Sequence, residues 1–246
     1  MIYEPSMQNG AIHLLPTIQT SVTPMMLEFK RDTKLFENVP LTQELADELL
    51  GRVNPLLRRC TVLGGRLDLT VKHCLLPLDS SIKNSGSADL QITLRDAHFM
   101  PTGVLADLIE LAGMEVREFS FDRYTINAEI KDGRIFPQPI TITINKLPII
   151  CSGTIGLDGT IACNADVPLS QGLVGRDAWK YLQGERVKVP ITGTLDRVRL
   201  DSSAMQSEIA RLVRRAVERA AVEQLGGLFD KLRDDLDSDK RREHKK

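Results

Sequence analysis

The chain has 246 residues, 42% hydrophobic and 26% charged, with 32 Lys and Arg against 33 Asp and Glu and a net charge of −1. That length supports a hydrophobic core without disulfides or a structural metal. The near balance of charge argues against a nucleic-acid binder, whose affinity comes from an excess of basic groups. Aromatic residues make up only 4%, too few for base-stacking or sugar-stacking platforms.

In chain order, the first predicted element is an amphipathic helix over Thr42–Arg59. Thr42 is its N-cap, Leu45, Leu49, Val53, Leu56 and Leu57 form its apolar stripe, and Pro55 kinks or breaks it. Strict alternation of apolar and polar residues then predicts strands with one apolar face. Leu67, Leu69 and Val71 carry the first, Leu90, Ile92 and Leu94 the second, after which Thr102–Ala112 reads as a short helix. The same beat continues through Tyr124, Ile126, Ala128 and Ile130, then Ile140, Ile142 and Ile144. The clearest hairpin is Ile149–Leu157, Asp158-Gly159, Thr160–Leu169, because Asp-Gly supplies the positive φ of a tight turn.

Keeping Ile155, Leu157, Ile161 and Cys163 on one face requires a three-residue loop, which sets Ile155 opposite Cys163 and Cys151 opposite Val167. On that register the two cysteines stand about 13 Å apart, too far for a disulfide. Gly153, Gly156 and Gly159 lie inside the hairpin rather than between a strand and a helix, so they read as close approach in a curved sheet and not as a phosphate loop. A helix over Gln171–Leu182 carries the sole tryptophan, Trp179, and a further alternating strand runs through Val187, Val189, Ile191, Gly193 and Leu195.

The last helix runs over Ser203–Leu232, with Ser203 as its cap, an apolar face of Ile209, Leu212, Val213, Ala216, Val217 and Ala220, and a bend at Gly226-Gly227. Residues 233–246 form a charged, solvated tail in which Asp235, Asp237 and Asp239 imitate the opening of a calcium loop without its glycine or distal glutamate. The expected fold is therefore mainly β with helices (α+β): a curved, mostly antiparallel sheet, groove-like or partly open, with short helices on its apolar face and a long C-terminal helix. The organisation reads as a sheet domain over 1–201, the helix over 202–232 and the tail.

Catalytic and metal chemistry is hard to assemble. His13, His73, His98 and His244 are scattered, and Cys60, Cys74, Cys151 and Cys163 show no CxxC spacing. No GxSxG elbow or P-loop occurs. The expectation is a non-enzyme with no metal and no cofactor. No apolar run approaches the roughly 18 residues of a bilayer crossing, and Met1-Ile2-Tyr3-Glu4-Pro5 lacks the pattern of a secretory signal.

What remains is a broad aliphatic face that few helices are expected to cover. Ile140, Ile142, Ile144, Ile155, Leu157, Val189, Ile191 and Leu195 are the candidate lipid-facing residues, since a groove that shields acyl chains gains about 0.8 kcal/mol per buried methylene and needs no sharp polar motif. On the last helix Arg211, Arg214, Arg215 and Arg219 lie opposite the apolar stripe and are the candidate contacts for anionic lipid headgroups or a membrane surface.

The stretch from Tyr124 to about Leu200 resembles the C-terminal region of AsmA-like proteins, through Asp132-Gly133, Ser152-Gly153, Asp158-Gly159 and the closing Val167-Pro168-Leu169. The segment from Asn38-Val39-Pro40-Leu41-Thr42 to Gly64-Gly65-Arg66 looks like a preceding unit of the same kind. The resemblance implies a non-enzymatic envelope module on the periplasmic side of the inner membrane, handling phospholipid acyl chains in lipid transport or outer-membrane maintenance. Its implied partners are phospholipid or another apolar ligand, a membrane surface or another envelope protein. The chain departs from that pattern in having no membrane anchor and little of the long repeated sheet, as a C-terminal piece of a longer protein or a shortened relative would. The alternative reading is a β-rich structural or protein-interaction module with a closed core and no lipid cargo, binding a partner along a strand edge.

Overall fold

The computed structural model describes residues 10–13, 16–79, 86–144 and 146–221. The predicted tail, its aspartates and the Gly226-Gly227 bend lie outside the described residues. Thirteen strands form one sheet: β1 (Ala11–Ile12), β2 (Thr17–Gln19), β3 (Met26–Glu28), β4 (Thr33–Pro40), β5 (Thr61–Pro77), β6 (Ser87–Met100), β7 (Phe119–Lys131), β8 (Arg134–Pro137), β9 (Ile140–Ile144), β10 (Leu147–Gly156), β11 (Thr160–Pro168), β12 (Arg186–Thr194) and β13 (Arg197–Leu200). The order is β1-β4-β5-β6-β7-β8-β10-β11-β12-β13, with the β2–β3 hairpin attached to the far end of β5 and β9 attached to β10. Every pairing is antiparallel. Strands β8 and β9 are one path interrupted at Gln138-Pro139, where proline has no N–H for the ladder. All five alternating segments of the sequence lie in strands, and the sheet is open, with β1 and β13 at its edges.

The alternation decides which face is dry. Leu67, Ile92, Leu94, Ile126, Ile142, Ile155, Val189 and Ile191 are each buried, while their neighbours along the strands are mostly more exposed. Phe99 stacks on Phe119 at 5.3 Å and meets Phe121 edge-on, and Phe121 lies 4.9 Å from Tyr124. Tyr124 Oη accepts the Thr141 N–H at 2.9 Å, so the polar end of this aromatic group joins β7 to β9.

The helices lie where the pattern places them, with three differences, the first being that the helix expected to reach Arg59 ends at Val53 and gives way to a turn over 54–60. A continuous helical run over 43–53, α1, consists of Gln43–Leu45, a π turn at Ala46–Leu50 and Gly51–Val53. Thr42 Oγ1 accepts the Leu45 N–H at 3.2 Å, as its capping role requires, and the run stops before Pro55. Next come α2 (Gly103–Leu111), α3 (Gln171–Val174), α4 (Arg176–Leu182) and a helix α5 from 202 through 221, the last described residue. The predicted helix over Gln171–Leu182 is divided at Gly175, whose φ of 80° is outside the right-handed helical region. Asp201, not Ser203, caps α5: its carboxylate accepts the Ala204 N–H at 2.9 Å.

The sheet curls strongly. Arg59 is two residues before β5 and Asp196 two residues after β12, six inter-strand steps away in the sheet order. In a flat sheet that separation would be about 29 Å, yet Arg59 Nη2 donates to the Asp196 carbonyl at 3.3 Å and Arg58 Nη2 reaches the Asp196 carboxylate at 3.3 Å. The curled sheet wraps its apolar face around α1, the turn over 54–60 and α2, which share one continuous core with it.

The β10–β11 register differs from the expected one. Ile155 pairs with Ile161, Gly153 with Cys163 and Cys151 with Ala165. The loop still holds three residues, but they are Leu157, Asp158 and Gly159. The Gly159 N–H donates to the Gly156 carbonyl at 2.8 Å, and the Asp158 carboxylate accepts from the Thr160 N–H at 3.0 Å and its hydroxyl at 2.8 Å. Leu157 therefore sits half-buried in the loop, and the ladder slides by two residues without changing faces. The slide brings Cys151 and Cys163 into thiol contact, which corrects the expected 13 Å.

Gly153 has φ +137° and an added Cβ would fall 2.4 Å from the Ala162 carbonyl oxygen and 2.5 Å from Cys163 Cα, whereas a Cβ at Gly64 would meet nothing. Gly153→Ala is expected to destabilise the fold by about 2 kcal/mol or more and Gly64→Ala by less than about 1 kcal/mol, measured by denaturant unfolding. Equal costs would sink this reading of the hairpin.

Candidate functional site

The eight predicted lipid-facing residues do come together, but inside the core. Ile142, Ile155, Val189 and Ile191 are 0% exposed, Ile140, Ile144 and Leu195 are nearly so, and Leu157 is half-buried in its loop. The expectation that helices leave this face uncovered is corrected by the curl, which brings α1, α2 and the turn over 54–60 against it. That cover is large and firmly tied. Ala46, Leu50, Val53, Leu56 and Leu57 are buried in it, and lifting them into water would cost about 10 kcal/mol at roughly 2 kcal/mol for each larger side chain. This is comparable to the whole stability of a domain. Polar contacts fix its ends. Arg58 Nη1 donates to the Asp47 carbonyl at 3.0 Å, the Arg59 N–H to the Asp47 carboxylate at 2.8 Å, and the Thr102 hydroxyl to the Arg59 carbonyl. Gln43 bridges the Cys60 carbonyl and the Val62 N–H, each at 3.0 Å.

The interior opens at the β4 edge. Here a cavity of about 310 Å³ is lined by Ile12, Phe36, Val39 and Leu45, with Thr42, Glu44 and Glu48 around it. Ile12 stands opposite Phe36 across β1 and β4, and Val39 opposite Leu67 across β4 and β5. Ile12, Phe36 and Leu45 are partly buried and pack directly on the core, so the cavity is an extension of the dry interior toward solvent. Its size is at the lower end for small-molecule sites, and its walls are mainly apolar. Sequence reasoning placed only Leu45 on an apolar stripe. Phe36 and Val39 escaped because Asn38, with φ 54°, disturbs the alternation of β4 at a register shift. Ile12 escaped because two paired residues carry no periodicity.

The four predicted headgroup arginines lie on one side of α5, within an arc of about 140°. Arg211 pairs with Glu208, Nε to Oε2 at 2.9 Å, and holds that carboxyl below its usual range, mainly through this hydrogen bond. Arg219 lies 3.7 Å from Glu185. Arg214 and Arg215 are exposed and have no ion-pair partner among the described residues. They point different ways, because residues one apart on a helix are turned by about 100°.

Among the described residues no group of three or more His, Cys, Asp or Glu is placed to hold a metal. The four cysteines are free and buried. Burial pushes the Cys60 and Cys74 thiols up to about 11, and the hydrogen bond to Cys163 together with burial holds Cys151 well above the ordinary thiol range. The same hydrogen bond holds the Cys163 thiol below the ordinary thiol range, while Cys60, Cys74 and Cys151 stay protonated at neutral pH. Among the described residues no helix is long and apolar enough to cross a membrane, which says nothing of a β-barrel.

Comparison with known proteins brought no match: no family model, no curated protein and no solved structure aligns significantly with the chain. The thiols provide a direct check on the packing. Cys60 and Cys74 are expected to resist iodoacetamide at about pH 8 in the native protein and to react on denaturation, followed by mass spectrometry. Because their folded values lie above the unfolded one near 9, their stabilising contribution is present below pH 9 and falls as pH rises toward 11. Ready native labelling would show that these sites are not packed as described.

Proposed function

We propose that the protein is a non-enzymatic, AsmA-like envelope module that shields phospholipid acyl chains from water and contributes to lipid transport or outer-membrane maintenance. The observation supporting this is the single one already built: the dry interior of a curled, open-edged sheet reaches solvent through an apolar cavity at the β4 edge. An acyl chain, not a headgroup, suits it. Glu44 and Glu48 repel a phosphate, while Ile12, Phe36, Val39 and Leu45 offer only van der Waals contact.

Magnitudes indicate how tightly such a chain is held. About eight buried methylenes gain about 6 kcal/mol, which falls within the 4–15 kcal/mol lost on association. Holding at this cavity is therefore weak and reversible, as transfer between membranes requires. A second reading, the structural or protein-interaction module, draws on the sheet edges. Among the described residues β13 has no strand on its outer side, and β4 is flanked there only by residues 10–13, which run along 35–39.

One experiment separates the two. The purified chain is extracted with organic solvent and examined for phospholipid by mass spectrometry, and uptake of a fluorescent fatty acyl probe is measured for the parent and for Leu45→Trp, which fills the cavity. The lipid reading expects bound phospholipid, probe uptake, and about a tenfold loss of uptake in the variant, with a melting temperature within a few degrees of the parent. A clean extract without uptake favours the interaction module.

A further inference from the structure

Away from the β4 edge lies a second cavity, of about 370 Å³, between α4 and α5. Its apolar walls are Ala178, Tyr181, Ala216, Val217 and Ala220, and its rim carries Arg176, Asp177 and Lys180. Val217 is 60% exposed, the most exposed of the protein's large hydrophobic residues among those described. Arg214 lies three residues before it, on the adjoining part of the α5 surface. Lys180 lies 5.4 Å from the Tyr181 ring centroid and Arg176, Lys180 and Arg214 are exposed, with no ion pair among the described residues. The surrounding segment is basic as a whole. Residues 176–221 hold ten Lys and Arg against six Asp and Glu, in a chain whose net charge is −1.

We infer that the α4–α5 face docks on an anionic membrane leaflet, seating Val217 and Tyr181 at the headgroup level with Arg176, Lys180 and Arg214 on the lipid phosphates. An exposed aliphatic side chain flanked by unpaired cations, with an aromatic ring beside one of them, matches the acyl and phosphate layers of an interface together. A soluble polyanion would use the cations but gain nothing from Val217. Asp177 weakens the field without reversing it. This docking goes beyond acyl-chain shielding, involves none of the residues of the β4-edge cavity, and stands or falls independently of it.

The test is flotation of the full chain with vesicles of phosphatidylcholine alone or containing roughly one-third phosphatidylglycerol, at about 0.1 M salt, where charges still act over about 10 Å. The expected result is binding to the anionic vesicles only, lost at about 1 M salt. Two variants refine it. The triple change Arg176→Glu, Lys180→Glu, Arg214→Glu is expected to weaken binding at least about tenfold. Val217→Asn, which removes the apolar contact without adding charge, is expected to weaken vesicle binding by about tenfold while leaving retention on heparin unchanged. Both variants are checked for parental circular dichroism and melting, and one that does not fold is replaced by its Gln or Ser counterpart at the same positions. Absence of anionic vesicle binding, equal binding to neutral vesicles, or undiminished flotation of either folded variant would overturn the proposal. Heparin retention together with vesicle binding indifferent to Val217→Asn would identify the face as a polyanion surface instead.

Discussion

Everything in this structure follows from the need to keep one face of a long amphipathic sheet dry. A sheet with alternating faces and two free edges has two solutions: pair its apolar face with a second layer, or curl around a filling. This chain curls. The contacts of Arg58 and Arg59 with Asp196 draw together places that the strand order separates by six steps, and the enclosed space is filled by α1, α2 and the turn between α1 and β5. Once filled, the row of isoleucines that reads in sequence as a greasy trough becomes a core. Access to apolar surface survives where the filling stops short, at the β4 edge.

Much of this was legible beforehand because side-chain alternation has a physical cause. Strands buried on one face must alternate, and the segments around Leu67, Leu90, Tyr124, Ile140 and Val187 all do. Cap chemistry likewise marked the start of α1 at Thr42 and proline the place where it breaks, although the apolar stripe ran on to Arg59, beyond the helix's end at Val53. Three kinds of feature were not legible. The hairpin register was decided by the Asp158 carboxylate gripping Thr160, a local choice that leaves both faces intact and so leaves no trace in the hydrophobic pattern. The split at Gly175 and the transfer of the α5 cap to Asp201 rest on backbone conformation and competing acceptors. The cavity residues Ile12 and Phe36 meet only because β1 returns to β4, a long-range pairing too short to carry a period. Whether an apolar face is covered depends on how far the sheet bends, which no single strand encodes.

The two solvent-facing apolar features differ in electrostatic character. Carboxylates surround the cavity at the β4 edge, and cations rim the one between α4 and α5. An anionic surface would attract the second and repel the first, so one field would draw one face in and turn the other away. A body of this kind has a preferred orientation near a charged leaflet, set by the distribution of its charges and not by their near-zero total.

The strand order has a further consequence, for the route by which the molecule is made. Along most of the path each strand meets its immediate predecessor in the chain, so the ladder assembles by closing short loops one after another, each at small entropic cost. The contact between Arg58 and Asp196 instead spans 138 residues, and cannot form until the intervening hairpins have bent the sheet. Hairpins therefore come early and the curl late, and a chain caught between those stages carries its apolar stripe open to solvent, the form in which it most needs protection from its own copies.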